Sequence, residues 1–315
     1  MKKILFILLL ALQLVGLIAG SSPAPVLQTS LRDTRPLEPY ILIGESGKSV
    51  ERTAKELIGR LFMRNIEIVG KYHPAGDSNR YVIVVTDPNL LAVAGSSKET
   101  AGYLAAMRIA ITRVGELTYV SCQEPEYWAH AYLQEDYSAV AGQLAIFRRK
   151  LLRAMPKMRG RFMRPYGGSA ARPMTPAKLR TDHYRRRTES LEDLITLATF
   201  GSFEEAVAAM HTGLEAFSDL EAVFEVAVPG KQVRLYGISL EGDRGEQEIL
   251  NLLEIDRFRH TGALPYELLV TGNQVVMLPI RYRLPLNSPS MTKKTFRKLK
   301  TYQEEITRKM ASLVQ

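Results

Sequence analysis

The sequence has few of the residues that build disulfide, metal or haem sites. It contains one cysteine, Cys122, so an internal disulfide and a C-x-x-C motif are both excluded. No two of its five histidines lie within one helical turn of each other. The sequence therefore has no recognisable metal-binding motif, and it identifies no cofactor. A metal site assembled in three dimensions is left open. We expect Cys122 to be a small buried apolar side chain, with a bridge between two chains as the alternative.

The motifs of common enzymes are also missing. No G-x-S-x-G setting for a nucleophilic serine is present. The stretch that begins at Tyr40, Y-I-L-I-G-E-S-G-K-S-V, is similar to a phosphate-binding loop, but the first glycine of that motif would be at position 42, which is Leu42. We interpret the stretch as a turn at Gly44 and Gly47, followed by a helix that Ser49 caps. Nothing in the sequence indicates a reaction, so a non-catalytic role is favoured over an enzyme.

Acidic residues are nearly absent from one long segment. From Arg148 to Arg187 there are fourteen Lys or Arg residues and one acid, Asp182, so this segment carries +13 while the whole chain carries +9. Prolines and glycines interrupt its middle, which is typical of a connector between domains. The predicted parts of the chain are a signal peptide at 1–20, a first domain at 38–137, a basic connector at 138–188 and a second domain at 189–315.

The N-terminus has the three parts of a secretory signal peptide. Lys2 and Lys3 precede an apolar run at 4–19, and small residues follow it. The run is shorter than the roughly 20 apolar residues of a membrane-spanning helix. We therefore expect export to the periplasm or cell envelope with cleavage of the signal peptide; an uncleaved N-terminal anchor is the alternative.

Two halves of the chain show the same order of hydrophobic patterns. Each has an amphipathic helix, two strands, a second helix and a hairpin; the first helices begin near Ser49 and Phe203, and the hairpins turn at Gly115 and Gly272. This repetition predicts an α+β fold with two similar α/β sandwich domains, in each of which helices cover an antiparallel sheet.

Stretches along the whole chain have the order and spacing of one known family. They are SVERTAKELIGR, RYVIVVTDPN, RIAITRVGELTYVS and EPEYWAHAY in the first half, PYGGSAARPMTPAKLRTDHY in the connector, and SFEEAVAAMHTGLEA, VPGKQVRLYGISL and ALPYELLVTGNQVV in the second half. The halves resemble the domain of unknown function 302 in a two-copy exported form. The resemblance implies a compact α/β sandwich for each copy, often a bacterial envelope location, and no established reaction. The chain departs from the family after His183 and Tyr184, where relatives continue with apolar and acidic residues and this chain has three arginines.

An aromatic stretch after the first hairpin, EPEYWAHAY, holds the only tryptophan. Its side chains could line a ligand cleft, with His130 as a proton donor or acceptor. Alternatively, Trp128 and Tyr132 pack into the core, because they lie four residues apart on a predicted helix. In the connector, His183 lacks a nucleophile beside it, so catalysis there is not favoured. The predicted ligand-binding candidates are Tyr127, Trp128, His130, Tyr132, His183 and Tyr184.

The predicted helix from Val140 to Met155 has one apolar stripe and basic residues on its other sides. Such a helix can lie on an anionic membrane surface; alternatively, the stripe packs on the first domain and the charges face water. The predicted membrane or partner contacts are Arg148, Arg149, Lys150, Arg153, Arg185, Arg186 and Arg187.

Three roles remain open from the sequence. The first is binding of a small molecule or lipid in a cleft between the two copies. The second is a scaffold whose connector meets an anionic lipid or an acidic protein, and the third is an enzyme with a site between the domains. Nucleic acid ranks last as a partner, because export is expected and stacking aromatics are not interleaved with the basic residues.

Overall fold

A computed structural model describes residues 34–160, 163–181, 188–242, 244–254 and 259–315. Within it, Pro36–Gln315 form one compact unit. The predicted signal peptide at 1–20 lies outside the described residues. In the described part of the chain, every helix is too short or too polar to cross a lipid bilayer.

The first half alternates strands and helices. Its elements are β1 (Tyr40–Ser46), α1 (Val50–Phe62), β2 (Glu67–Tyr72), β3 (Arg80–Thr86), α2 (Pro88–Ala94), β4 (Met107–Val114), β5 (Leu117–Gln123) and α3 (Pro125–Leu133). The connector then supplies α4 (Tyr137–Ala154), β6 (Arg164–Tyr166) and α5 (Pro176–Arg180).

The second half repeats this order and ends on one further helix, α9. Its elements are β7 (Ile195–Thr199), α6 (Phe203–Ala216), β8 (Leu220–Ala227), β9 (Val233–Leu240), α7 (Glu246–Leu253), β10 (Tyr266–Thr271), β11 (Gln274–Met277), α8 (Ile280–Asn287) and α9 (Lys293–Ser312).

The two sheets share one topology. The first sheet has the order β2-β3-β4-β5-β1-β6, and the second has the order β8-β9-β10-β11-β7 when read from the matching edge. All neighbouring strands are antiparallel. The predicted α+β class with two similar sheet-containing halves is therefore confirmed. β7 is the counterpart of β1, and the sequence patterns did not predict it.

Local chemistry explains where α1 begins. Ser49 has an extended backbone, and its hydroxyl accepts a hydrogen bond from the backbone N–H of Arg52 (3.2 Å), as an N-cap does. Gly47 lies in the bend before it, with open space around its α-carbon. The predicted helix cap at Ser49 and the bend at Gly47 are confirmed. The predicted turn at Gly44 is wrong, because Gly44 lies within β1 at an irregularity of the strand and pairs with Val120 of β5.

Each half sends a short 3₁₀ segment onto the sheet of the other. Segment Glu99–Leu104 of the first half contacts β9 and β10, and segment Thr261–Ala263 of the second half contacts β3, β4 and β5. The approach is close, because a β-carbon at Gly102 would lie 2.7 Å from a methyl group of Val233. The halves therefore pack by a reciprocal exchange, with small residues at the contact.

A buried ionic cluster lies where the halves meet. Arg108, the second residue of β4, pairs with Glu267, the second residue of β10. Arg283 of α8 donates from Nε to the same carboxylate (3.2 Å) and from Nη2 to the carbonyl of Pro265 (2.8 Å). All three charged side chains are buried. One carboxylate thus serves two guanidinium groups at the centre of the molecule.

Candidate functional site: a basic and apolar surface between α1 and α4

The apolar stripe of α4 packs on the first half. Val140, Leu144, Phe147 and Leu151 are all buried. Of the two alternatives for α4, the structure has the packed helix. Its apolar stripe is buried and is not available to a membrane. The outer side of α4 carries the cations together with Ile146, which is 45% exposed.

The C-terminal end of α1 lies beside this outer side of α4. Nε of Arg60 donates to the carbonyl of Ala154 (2.9 Å), and Nζ of Lys150 donates to the carbonyl of Asn65 (2.7 Å). Asn65 has a positive φ of 52°, which turns the chain sharply after the helix. This turn leaves two large apolar side chains in solvent, Phe62 at 80% and Met63 at 71% exposure.

Apart from Phe62, which directly precedes Met63 in the chain, the exposed residues at this place line one surface cavity, and we name them together the basic–apolar patch. It borders a cavity of about 570 Å³. The members of the patch are Phe62, Met63, Arg64, Ile146, Arg149, Lys150 and Arg153. Monomeric proteins seldom leave several large apolar side chains exposed together, and such groups mark interaction sites.

Three cations of the patch have no acid beside them in the part of the chain that the structure describes. Within the described ranges, no carboxylate lies at salt-bridge distance from Arg64, Arg149 or Arg153. Lys150 is different, because its ammonium group pairs with the buried carboxylate of Asp87, the N-cap residue of α2. Burial by itself raises the pKa of Asp87, but hydrogen bonds from Lys150 and Asn89 outweigh it and hold that pKa below its ordinary value. Lys150 therefore fixes the patch to the body of the protein.

Arg148 was predicted as a membrane or partner contact and lies in a structural ion pair. Its Nε and Nη2 donate to the two carboxylate oxygens of Glu124 (2.6 and 2.7 Å). These bonds raise the pKa of Arg148 against the opposing effect of burial. Because a bidentate pair holds the guanidinium in one place, Arg148 links α4 to the start of α3 and stands apart from the patch.

The predicted aromatic candidates are all buried on α3. Trp128 donates from Nε1 to the carbonyl of Pro39 (3.0 Å), and Tyr127 donates its hydroxyl to the carbonyl of Leu286 (2.8 Å). Tyr132 packs against Trp128 with ring centroids 5.7 Å apart, and His130 is buried close by. These aromatic side chains therefore pack in the core and do not line a ligand cleft. Tyr127 lies at the contact between the halves.

The remaining predicted candidates lie outside the described residues. They are His183, Tyr184, Arg185, Arg186 and Arg187. Within the described ranges, no group of three or more His, Cys, Asp or Glu side chains is arranged to hold a metal ion. Cys122 is a buried free thiol, as expected, and burial raises its pKa.

Four members of the patch were not predicted as site residues, although the sequence contains a sign of them. They are Phe62, Met63, Arg64 and Ile146. Helical periodicity places the buried face of α1 at Ala54, Leu57 and Leu61, so a large apolar residue at position 62 points away from the core. Ile146 likewise falls outside the stripe of α4. Apolar residues that lie off a helix stripe are therefore the sequence sign of this surface.

Comparison with known proteins adds no assignment to this geometry. The sequence matches no model of a protein family, and no curated protein shows significant similarity to it. The resemblance to the domain of unknown function 302 stays a prediction.

Proposed function

We propose that this chain is an exported envelope protein with a non-catalytic role, which docks on anionic membrane surfaces through the basic–apolar patch. One observation carries the proposal: the exposed side chains of Met63 and Ile146 line one cavity with three cations that have no acidic partner among the described residues, and the exposed Phe62 directly precedes Met63. The cavity between them has the size and charge to receive phosphate headgroups. The signal-peptide pattern at the N-terminus supports a location where the protein meets a membrane.

The two kinds of side chain contribute in different ways. Burying an apolar side chain such as Phe62 or Met63 among acyl chains is favourable by up to about 1.5–3 kcal/mol each. Each cation near an anionic surface adds about 1 kcal/mol at moderate ionic strength. These magnitudes predict reversible, salt-sensitive association rather than permanent anchoring. They also predict a preference for anionic over zwitterionic lipid.

The first test is cosedimentation of the mature chain with vesicles. The protein is purified from the cell envelope, and the mass of the intact chain shows at which residue it begins. We expect binding to vesicles that contain phosphatidylglycerol, little binding to phosphatidylcholine alone, and loss of binding near 1 M salt, where the screening length is about 3 Å. Replacing Arg149 and Arg153 together by Ser is expected to weaken binding by roughly tenfold or more.

The matched control removes the same charge from another surface. Lys294 and Lys298 are exposed cations on the outer side of α9, and their double replacement by Ser is expected to change vesicle binding little. Equal losses in the two double variants would show that binding follows net charge and not the patch. No binding of the unaltered protein would overturn the membrane proposal and favour an acidic protein as the partner.

A second test follows the apolar contact directly. Trp128 is the only tryptophan and is buried, so Phe62→Trp introduces a second tryptophan in an exposed position. On phosphatidylglycerol vesicles we expect its emission to shift to shorter wavelength and to be quenched by brominated acyl chains. Unchanged emission from bound protein would show that position 62 does not enter the lipid.

A further inference from the structure

The strand β7 forms a free edge of the second sheet. Its counterpart in the first sheet, β1, pairs on one side with β5 and on the other side with β6 of the connector. β7 pairs with β11 alone, and among the described residues no other group forms a hydrogen bond with its backbone. An open row of backbone N–H and C=O groups is a template for a further strand.

The side chains of β7 leave this edge accessible. Its sequence, I-T-L-A-T, has no charge and no proline, the two residue features that commonly protect an edge strand. Thr196 and Thr199 are exposed. The pairing with β11 is irregular at Leu197, but β1 has a similar irregularity between Leu42 and Gly44 and still pairs with β6. The edge of β7 can therefore accept a strand as the edge of β1 does.

The N-terminal end of β7 is positively charged. Arg281 pairs with Glu189 and lies over the ring of Phe296 (4.9 Å), so the first turns of α9 lie at this end of the strand. Residues 293–300 contain five Lys or Arg and no acid. Counted together with Arg281 and the three acids at 189–193, this end carries a net charge of +3. We name it the basic end.

Two cations of the basic end point past the edge of the sheet. Lys293 and Lys300 are exposed, and within the described part of the chain no carboxylate lies at salt-bridge distance from them. The helical period places them on the flank of α9 opposite Lys309. Lys309 pairs with Asp219, which directly precedes β8 at the other edge of the sheet (3.9 Å). Because α9 packs on β7, the opposite flank faces outward beyond that strand.

The C-terminal end of β7 is negatively charged, and we name it the acidic end. Residues 200–205 contain Glu204 and Glu205 and no cation. Both are exposed in the first turn of α6, and among the described residues neither has a cation at salt-bridge distance. A carboxylate oxygen of Glu205 accepts the backbone N–H of Gly201 (2.9 Å), which holds it close to the end of the strand. α6 and α9 cover the same face of the second sheet.

Pairing of β7 with β7 of a second copy brings the opposite charges together. Two edge strands that pair across a two-fold axis perpendicular to the sheet run antiparallel. The N-terminal end of each strand then lies beside the C-terminal end of the other, and the helices of both copies stay on one face of the joined sheet. The basic end of each copy therefore meets the acidic end of the other, once on each side of the axis.

We propose that this chain forms a two-fold dimer through β7, in which the five-stranded second sheets of two copies join into one continuous sheet. Backbone hydrogen bonds hold the two strands together, and the charged ends fix their orientation. The inference is independent of membrane docking, because β7, α6 and α9 share no residue with the basic–apolar patch.

The first measurement is sedimentation velocity of the mature chain at concentrations from about 1 to 100 µM. We expect a dimer that weakens near 1 M salt, where the screening length is about 3 Å. Hydrogen exchange of the amides at 195–199 should slow as the dimer forms. A chain that stays monomeric at about 100 µM would overturn the proposal and leave the edge to a different polypeptide.

One substitution tests the strand itself. Thr196→Lys places a charge on the exposed edge, as natural edge strands do to prevent pairing, and should raise the dissociation constant of the dimer by about tenfold or more. The control is Thr212→Lys, the same change at an exposed position of α6 two turns beyond Glu205, and it should have little effect. A dimer that is insensitive to Thr196→Lys would contradict pairing through β7.

An exchange of charges tests the orientation. The double variant Glu204→Lys and Glu205→Lys should dimerise about tenfold more weakly, because like charges then face each other. The double variant Lys293→Glu and Lys300→Glu should lose affinity for the same reason. An equimolar mixture of the two should recover a dimer, since every contact between them joins opposite charges. Losses that mixing does not restore would contradict the proposed arrangement. Thermal unfolding of each variant confirms that it is folded before mixing.

Discussion

Glu246 is a buried carboxyl group at the start of α7, where the second half contacts the first. One of its carboxylate oxygens accepts the hydroxyl of Tyr72 and the other accepts the backbone N–H of Ala75, both at 2.8 Å. Burial raises the pKa of Glu246 to about 7, and the neighbouring Glu241 adds to that rise. The hydrogen bonds and the charge of Arg283 act in the opposite direction and do not cancel the effect of burial.

The raised pKa of Glu246 predicts a loss of stability with rising pH. Between its ordinary value of 4.5 and about 7, the folded protein holds a proton that the unfolded chain has released. The free energy of unfolding therefore falls as pH rises through this window, by about 1.4 kcal/mol for each unit of pKa difference. Glu246→Gln cannot ionise, so urea unfolding of this variant at pH 5 and pH 8 should show a smaller difference than the unaltered protein.

Glu116 is the matched control for that measurement. It lies in the turn between β4 and β5 and its side chain is exposed. Glu116→Gln should keep the pH dependence of the unaltered protein. If Glu246→Gln also kept it, the carboxyl group of Glu246 would not be the group that titrates in this window.

At the scale of elements, α6 and the end of α9 approach without a side chain between them. A β-carbon at Gly213 of α6 would lie 1.8 Å from the carbonyl oxygen of Leu313. Glycine is unfavourable inside a helix, so its presence here is explained by the close contact and not by helix propensity. The two helices cover the same face of the second sheet, in a core that includes Met210 and Met310.

Substituting alanine at two helical glycines is expected to have opposite effects. Gly213→Ala should lower the free energy of unfolding by about 1–3 kcal/mol, since the Leu313 carbonyl must move. Gly142→Ala on α4 meets no atom within 4 Å and should raise the free energy of unfolding by about 0.5–1 kcal/mol through helix propensity. Urea unfolding followed by Trp128 fluorescence measures both. A stabilised Gly213→Ala variant would contradict the close helix contact.

The helices also show what can be predicted at this scale. The residue spacing of α4 predicted an apolar stripe and a basic outer side, because helical periodicity depends on neighbouring residues alone. Whether the stripe meets a membrane or the first half was left open by the sequence, and the structure has it packed on the first half. β7 was missed, since it is five residues long and lies at a sheet edge, where burial and therefore pattern are weak. The three-residue strand β6 was missed for the same reason.

The whole molecule depends on the buried charges between its halves. The carboxylate of Glu267 contacts both Arg108 and Arg283. All three side chains are buried. Removing the negative charge leaves two buried guanidinium groups without compensation. Such a change is far more costly than loss of a surface ion pair.

Glu267→Gln is therefore expected to lower the free energy of unfolding by about 3–5 kcal/mol. Replacing all three charged residues together, as Arg108→Met, Glu267→Leu and Arg283→Met, should cost less than the single change, because no unpaired charge remains. Urea unfolding of both variants makes the comparison. A single variant as stable as the unaltered protein would show that water reaches the cluster.

The amino-acid sequence by itself determined the amphipathic helices, the hairpins and the repetition of one α+β unit. These features depend on residue spacing, caps and turns, which act over a few neighbouring residues. The hairpin turns at Gly115 and Gly272, both with positive φ, follow from local chemistry of this kind. The basic outer side of α4 was determined in the same way.

Only the tertiary structure decided which surfaces meet. It paired Arg108 with Glu267 across the halves, placed Arg64 and Arg153 at one cavity, and paired β6 with β1. Each of these pairs is far apart along the chain, and a pairing of that kind is fixed by the packing of whole sheets and helices. No local pattern encodes it. This is why the sequence predicted Arg149, Lys150 and Arg153 as contact residues but not the apolar residues of the patch that lie beside them.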